Sequence, residues 1–164
     1  MASNFTDKDT GWKDLVTAFK INAGEQAVFV GWLRSSGWHK QKAGDKGKPL
    51  TVAEVARIQE YGAKRGNVNI PERAPLRSAV DEHSKELKAI IKKLTNKILA
   101  GKISRTQALG LIGEKMATWI KSKIDENLPP PNAPATIARK GSDHTLIDTA
   151  QMRNSVEWEV KGVK

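Results

Sequence analysis

The sequence contains no cysteine, and aromatic residues make up only 5% of it. Without cysteine the chain has no disulfide framework, no thiolate metal site and no cysteine nucleophile. No apolar run approaches the ~18 residues that span a bilayer, and the N-terminal residues lack the basic-then-apolar layout of a signal peptide. We therefore expect a soluble intracellular protein with no membrane partner.

Positive charge, in contrast to cysteine and aromatic residues, is abundant in this sequence. The chain has 164 residues, with 28 Lys+Arg against 18 Asp+Glu, and a formal net charge of +10. This length suits one compact domain, which we assign to residues 1–164. The excess charge is concentrated in residues 31–48, 85–102 and 103–142. Such a distribution favours acidic partners that meet particular surfaces.

Helix signals are clear at three points of the chain. Thr51 and Glu54 form a capping box, in which side chains satisfy the free backbone amides at a helix start. Pro75 suits the first turn of a helix of about 26 residues, which Gly101 ends and whose apolar residues recur at three- and four-residue steps. Ser104 opens a further capping box. The short connection at Gly101 predicts that the two long helices form an antiparallel hairpin.

Two segments predict strands. Residues 27–33 form a short run of β-branched, aromatic and other apolar residues on both faces, so we expect a strand covered on each side. Residues 156–160 alternate apolar and charged positions, which is typical of a half-buried strand paired with the first. Residues 12–20 predict a short amphipathic helix. The predicted fold is α+β, with a small antiparallel sheet packed against a long antiparallel helix hairpin plus short helices.

Two further segments predict docking surfaces. Residues 34–50 contain glycines, five bases and no periodicity, which indicates a flexible basic loop. Residues 129–145 begin with a proline-rich run, which indicates an extended, semi-rigid arm. Trp38 in the loop suits an anchor for a protein partner, and local packing explains it equally well. The candidate docking residues are Trp38, Lys40, Lys42, Lys46, Lys48, Arg139 and Lys140.

The sequence carries no residue pattern typical of an active site. The three histidines are far apart, and none has a second ligand at helical or hairpin spacing. The adjacent carboxylates at 81–82 and at 125–126 point in different directions on helices. Phosphate-binding loops, nucleophile elbows and dinucleotide-binding glycine patterns are absent. We expect a protein that is not an enzyme and that needs no cofactor or metal.

A lysine-rich face is predicted on the first long helix, opposite its apolar residues. Such a face contacts phosphates without reading base sequence. A solvated helix surface explains the same pattern. The candidate residues for phosphate or acidic-surface contacts are Lys85, Lys88, Lys92, Lys93 and Lys97.

Two motifs carry a family resemblance. Residues 146–156, Leu-Ile-Asp-Thr-Ala-Gln-Met-Arg-Asn-Ser-Val, resemble the segment before the last strand in tail-completion or neck proteins of tailed bacteriophages, the virion morphogenesis family. Residues 55–62 resemble the family's helix that ends in glutamate-aromatic-glycine, and an Ile-Pro-x-Arg turn follows at 70–73. Ala150 stands where the family commonly has glycine, which argues against a left-handed backbone there. The matching residues are Glu60, Tyr61, Gly62, Pro71, Arg73, Asp148, Thr149, Met152, Arg153 and Ser155.

The resemblance implies a structural, non-enzymatic virion protein that forms a ring in the neck and joins the head connector to the tail. A hexamer would match the symmetry of the tail and a dodecamer that of the connector; we favour the hexamer. The implied partners are other copies of the chain and other neck, connector and tail-tube proteins, with packaged DNA as a further contact. Assembly would take place in the host cytoplasm. The alternative is a basic DNA-associated protein that contacts phosphates through its lysine-rich helix.

Overall fold

The computed structural model describes residues 26–40, 48–65 and 68–162 of the chain, so the predicted helix at 12–20 lies outside the described residues. Within these residues the fold is α+β, as predicted, with two small antiparallel sheets and two long helices. The elements in chain order are β1 (Gln26–Gly31), a 3-10 turn (Arg34–Ser36), α1 (Val52–Tyr61), β2 (Ala63–Arg65), β3 (Val68–Ile70), α2 (Pro75–Leu99), α3 (Arg105–Asp125), α4 (Pro134–Lys140), α5 (Gln151–Asn154) and β4 (Glu157–Gly162).

The α2–α3 hairpin is the largest element pair of the fold. Both predicted capping boxes are present, at the starts of α1 and α3, and Pro75 is the first residue of α2. His83 of α2 stacks on Trp119 of α3, with 4.4 Å between ring centroids. One turn away, the buried Lys123 of α3 pairs with Glu82 of α2. These contacts between the two helices set their antiparallel register.

β1 and β4 pair antiparallel, as predicted, with Val28 opposite Val160. The face that carries Val28 and Trp158 packs on α3, where two glycines leave room for it. Phe29 points the other way and is 45% exposed. The expectation that β1 is covered on both faces is therefore wrong within the described residues. Trp158, on the opposite face from Phe29, packs against the α3 glycines and is still 41% exposed.

The β2–β3 hairpin was not predicted from the sequence, because each of its strands has only three residues. Ala63 pairs with Ile70 directly after α1. Gly62 ends α1, as predicted, with a φ of 69°. A Cβ at Gly62 would lie 2.9 Å from the carbonyl oxygen of Ile70, so a larger residue does not fit there.

Three predictions in the loop, the arm and the C-terminal motif need correction. Residues 134–140 form α4 and are not extended, because proline is compatible with the first position of a helix. The start of the 34–50 loop is not irregular, as its lack of periodicity suggested. Residues 34–36 form a 3-10 turn, and Trp38 forms a β-bridge with Thr51. Ala150 has a left-handed backbone, with φ of 55°, contrary to the expectation from its missing glycine.

The core lies where α1, α2 and α3 meet α5 and the start of β4. Its buried members are mostly aliphatic, and Ile124 and Val52 have no exposed surface. Among the described residues, no helix is long and apolar enough to cross a membrane. The buried cluster comprises Val52, Ala56, Ala79, Ala117, Trp119, Ile120, Ile124, Leu146, Met152 and Val156.

Candidate docking groove

A groove of about 590 Å³ lies between α1, the turn before α2, the arm with α4 and residues 145–152. His39 reaches it from the basic loop, and Arg139 and Lys140 reach it from the arm. The two segments that the sequence predicts as docking surfaces are thus neighbours in space, although 78 residues of sequence, 51–128, separate them. We call this surface the docking groove.

Arg73 lies in the wall of the docking groove and is only 7% exposed. Its Nε donates to the carbonyl oxygen of Pro130 at 3.0 Å, and its Nη1 donates to Oε1 of Gln59 at 3.1 Å. Its Nη2 donates to Oδ1 of Asn132 at 3.3 Å and to the carbonyl oxygen of Pro131 at 3.5 Å. One side chain therefore holds the proline-rich segment against α1.

All four of these acceptors are neutral oxygens, so none of them is a counter-ion for Arg73. Within the described ranges, no carboxylate lies at ion-pair distance from its guanidinium, and burial lowers its pKa. Arg139 and Lys140 add positive charge to the same groove, and Asp148 is the only carboxylate among the described lining residues. The docking groove is therefore electropositive.

The arm is folded back on itself beside the groove. Asn132 is buried, and its Nδ2 donates to the carbonyl oxygens of Asp143 and His144, each at 3.1 Å. Nζ of Lys140 donates to the same His144 carbonyl. The backbone amide of Thr145 donates to Oδ1 of Asn127 at 2.6 Å, whereas the buried Thr145 hydroxyl has no hydrogen-bond partner in the described part of the chain. These contacts give the groove a rigid wall.

Gln151 of α5 holds the backbone of residues 38–40, in the first half of the basic loop, at the groove. Its Oε1 accepts from the backbone amide of Lys40 at 2.8 Å, and its Nε2 donates to the carbonyl oxygen of Trp38 at 2.9 Å. The backbone is thus fixed while the Trp38 side chain stays 63% exposed. Lys40 and Lys48 are exposed, and the candidates Lys42 and Lys46 lie outside the described residues.

The upstream motif builds the junction between α1 and α2. Glu60 is buried, and its carboxylate accepts from the backbone amides of Leu76 at 2.9 Å and Arg77 at 3.0 Å, so it caps the start of α2. The Arg77 guanidinium lies 4.9 Å from the ring centroid of Tyr61, which is 64% exposed. Pro71 and Arg73 continue from this junction into the docking groove.

The C-terminal motif lines the same groove. Asp148, Thr149 and the buried Met152 line the groove. Arg153 binds both carboxylate oxygens of Asp125, at 2.6 and 2.7 Å, and thereby ties α5 to the end of α3. The carbonyl oxygen of Ser155 accepts from the hydroxyl of Ser36 at 3.2 Å. The two motifs, far apart in sequence, therefore contribute residues to one groove.

The lysine-rich face is a separate surface. Its five lysines are exposed on α2, and none of them lines the docking groove. Within the described ranges none of the five forms an ion pair, whereas Lys115 and Lys123 of α3 pair with glutamates of α2. The five lysines therefore form an uncompensated positive strip.

Several groove residues were not predicted from the sequence. Asn132 lies within the proline-rich run. A side-chain amide in such a run is the feature of the sequence that could have indicated a structural contact. Gln59 and Gln151 carried no signal, because an isolated glutamine is most often a surface residue. Among the described residues there is no group of three or more His, Asp or Glu placed to hold a metal ion.

Comparisons with protein-family models, with curated proteins and with solved structures found no match to this chain. The function is therefore argued from the chain's own residues and their geometry.

Proposed function

We propose that this chain is a structural virion protein of a tailed phage, which forms a ring in the neck and joins the head connector to the tail. The observation that carries the proposal is the docking groove. The loop and the arm meet there, and five residues of the two family motifs line it: Pro71, Arg73, Asp148, Thr149 and Met152. Half of the ten residues that carry the resemblance thus contribute to one surface, which supports an assembly role more strongly than scattered matches would.

The architecture suits a ring subunit. A repeated head-to-tail contact needs two different surfaces on one subunit, and closure of the ring sets the copy number. The docking groove is one such surface. Exposed aromatic residues, Trp38 beside the groove and Phe29 on the sheet, are suitable anchors on others, because aromatic side chains dominate the binding energy of protein interfaces. We favour six copies, which would match the symmetry of the tail.

The proposal is tested by deleting residues 36–47 from the chain in its phage. We expect a folded protein that leaves heads and tails unjoined in electron micrographs, because the deletion removes Trp38 and the loop end that Gln151 holds at the groove. Far-UV circular dichroism of the purified variant checks folding. The control is Lys102→Glu, at the exposed turn between α2 and α3, which should leave joining intact.

Normal infectious particles from the deletion variant would refute the neck role. In a separate measurement, the mass of the purified wild-type assembly gives the number of copies in the ring. Six subunits are expected, whereas twelve would move the protein to the connector side of the neck.

A second candidate is a basic DNA-associated protein, and the uncompensated lysine strip on α2 favours it. Five lysines on phosphates predict a slope of about −4.5 for log affinity against log salt on duplex DNA. Filter binding across a salt series measures this slope. A double Lys88→Gln, Lys92→Gln variant should reduce its magnitude by about 2. Negligible binding at ~150 mM salt would favour the assembly role instead.

A further inference from the structure

The lysine strip on α2 lies beside exposed aliphatic side chains. Ile91 and Leu99 are each 44% exposed. Residues four apart on a helix form one row along its surface. One such row of α2, which we call the exposed ridge, comprises Leu87, Ile91, Thr95 and Leu99. Leu87 packs against the core and the other three are exposed, so the ridge continues from the core into solvent.

Lysines without acidic partners flank the exposed ridge. Lys88 and Lys92 belong to the neighbouring row of the same helix. Within the described part of the chain, neither lysine has a carboxylate at ion-pair distance. Glu86, the acid nearest to them in sequence, pairs instead with Lys115 of α3. The positive charge beside the ridge is therefore available to a partner.

The aliphatic part of this surface favours a protein partner over a nucleic acid. Phosphates would contact the lysines alone, and interfaces with DNA are more polar than interfaces between proteins. Ile91 and Leu99 would then contribute nothing to binding. A protein interface uses both kinds of group, because its core is apolar and its rim is polar. The surface therefore suits a polypeptide that carries apolar and acidic side chains.

The spacing along the exposed ridge indicates that the partner segment is a helix. Ile91 and Leu99 are about 12 Å apart along the axis of α2. A ridge of side chains four apart packs into the groove between the corresponding ridges of a second helix. An extended strand, in contrast, is recognised mainly through backbone hydrogen bonds, which the interior of α2 does not offer because its own helical bonds use them.

We infer that the exposed ridge of α2 binds an acidic amphipathic helix of a partner protein. The apolar residues of that helix would pack on Ile91 and Leu99, and its carboxylates would pair with Lys88 and Lys92. The inference rests on the proposed function, because the helix would belong to a neighbouring protein of the particle. The charges are complementary, and α2 is already ordered, which lowers the entropy cost of binding.

The test measures binding of the full chain to two fluorescent peptides of three heptads each, by anisotropy at ~150 mM salt. Each heptad has leucine at the first and fourth positions, alanine at the third and seventh, and either glutamate or lysine at the others. We expect the glutamate peptide to bind saturably and the lysine peptide at least about tenfold more weakly, because like charges repel. No binding of the glutamate peptide, or equal affinity for the two, would overturn the inference.

A double variant of the ridge separates its aliphatic side chains from the lysines. Ile91→Gln with Leu99→Gln should weaken binding of the glutamate peptide by about tenfold or more and leave any binding of duplex DNA unchanged. Leu111→Gln is the matched control, because Leu111 is 48% exposed on α3 outside the ridge, and it should bind like the wild type. Unchanged peptide binding by the double variant refutes the assignment.

A second double variant decides the question if the ridge variant does not fold. Lys88→Gln with Lys92→Gln should weaken binding of the glutamate peptide by about tenfold or more, because it removes the cations beside the ridge. Lys48→Gln with Lys64→Gln makes the same change of net charge at exposed positions outside α2 and should bind like the wild type. Equal binding by the two lysine variants would contradict the inference.

Two further outcomes separate this inference from the other proposals. Duplex DNA that binds more tightly than the glutamate peptide at ~150 mM salt would assign the strip to nucleic acid and overturn the inference. If the peptide fails to bind while the chain still joins heads to tails, the helix site falls and the neck function stands. If the peptide binds and the chain is absent from particles, the neck function falls and the helix site stands.

Discussion

Glu60 shows how a single buried carboxylate joins two elements. It lies in the last turn of α1, and its carboxylate accepts from two backbone amides at the start of α2 and from Nε of Arg77 at 3.0 Å. Free amides at a helix start carry partial positive charge, so a carboxylate is favoured there. The direction of α2, and with it the position of Arg73, depends on this contact.

The first prediction is that Glu60→Gln lowers the free energy of unfolding by about 1–3 kcal/mol, because glutamine replaces charge-assisted hydrogen bonds with neutral ones at a buried site. Urea denaturation monitored by circular dichroism measures the change. The control is Glu72→Gln, which removes an exposed carboxylate that also contacts Arg77, at 2.8 Å, and should be close to wild type. Equal stability of the two variants would contradict the capping role.

Ala150 carries strain that glycine would relieve. Its φ is 55°, and an L-residue with a Cβ pays a steric penalty in the left-handed region. The second prediction is that Ala150→Gly raises the free energy of unfolding by up to about 1 kcal/mol, the steric relief being partly offset by the freedom of glycine in the unfolded chain.

Thermal melts of Ala150→Gly and of Ala53→Gly form the matched pair for this test. Ala53 lies within α1, where glycine should lower stability by about 0.5–1 kcal/mol. A lower melting temperature for Ala150→Gly would show that the left-handed backbone at this position is not strained.

At the scale of secondary-structure elements, α3 is the central piece, because the sheet packs on one side of it and α2 on another. The sheet approaches closely at two glycines. A Cβ on the buried Gly113 would lie 2.8 Å from Cγ2 of Val28 and 2.9 Å from Cγ of Trp158. At Gly110 the nearest atom would be Cη2 at the far end of the Trp158 ring, at 3.1 Å.

The third prediction is that Gly113→Ala lowers the free energy of unfolding by about 1–3 kcal/mol, because the overpacking outweighs the gain in helix propensity of about 1 kcal/mol. Gly110→Ala is the control and should cost less, because the ring end can shift. Urea denaturation measures both effects. A stabilised Gly113→Ala variant would contradict the close packing of sheet and helix.

At the scale of the whole molecule, carboxylates tie distant segments together. The hydrogen bonds from Arg153 lower the pKa of Asp125, and those from the buried Lys123 lower the pKa of Glu82. A carboxyl whose pKa is lower in the folded state stabilises the fold at pH values above its unfolded pKa of about 4. That stabilisation is lost as the pH falls through the folded pKa. Protonation also raises a net charge that is already +10.

The fourth prediction is a melting temperature that falls as the pH is lowered from about 5 to about 2, since both linked carboxyls lose their charge there. Arg153→Gln should melt below the wild type at neutral pH and converge with it at acid pH, because it removes the partner of Asp125. Lys161→Gln, which removes an exposed pair with Glu159, should keep the wild-type profile. Parallel profiles of Arg153→Gln and wild type would contradict the linkage.

Local sequence patterns determined much of the fold. The capping boxes at Thr51 and Ser104 and the proline at residue 75 predicted three helix starts correctly, because each signal acts within one helical turn. The pairing of β1 with β4 was predicted from the β-branched apolar run of the first strand and the apolar–charged alternation of the second. The sequence also indicated that the positive charge lies in the loop, on α2 and in the arm. It did not predict α4 within that arm, because prolines dominate the local pattern there.

Only the tertiary structure decided what these elements form together. The docking groove unites His39, Arg73 and Arg139, and no periodicity or spacing connects residues so far apart. The neutral surroundings of Arg73 are likewise a property of packing, since they depend on which oxygens of the arm lie around the guanidinium. Local interactions are encoded within a few residues of sequence, whereas the electrostatics of a groove arise where distant segments exclude water from the same volume.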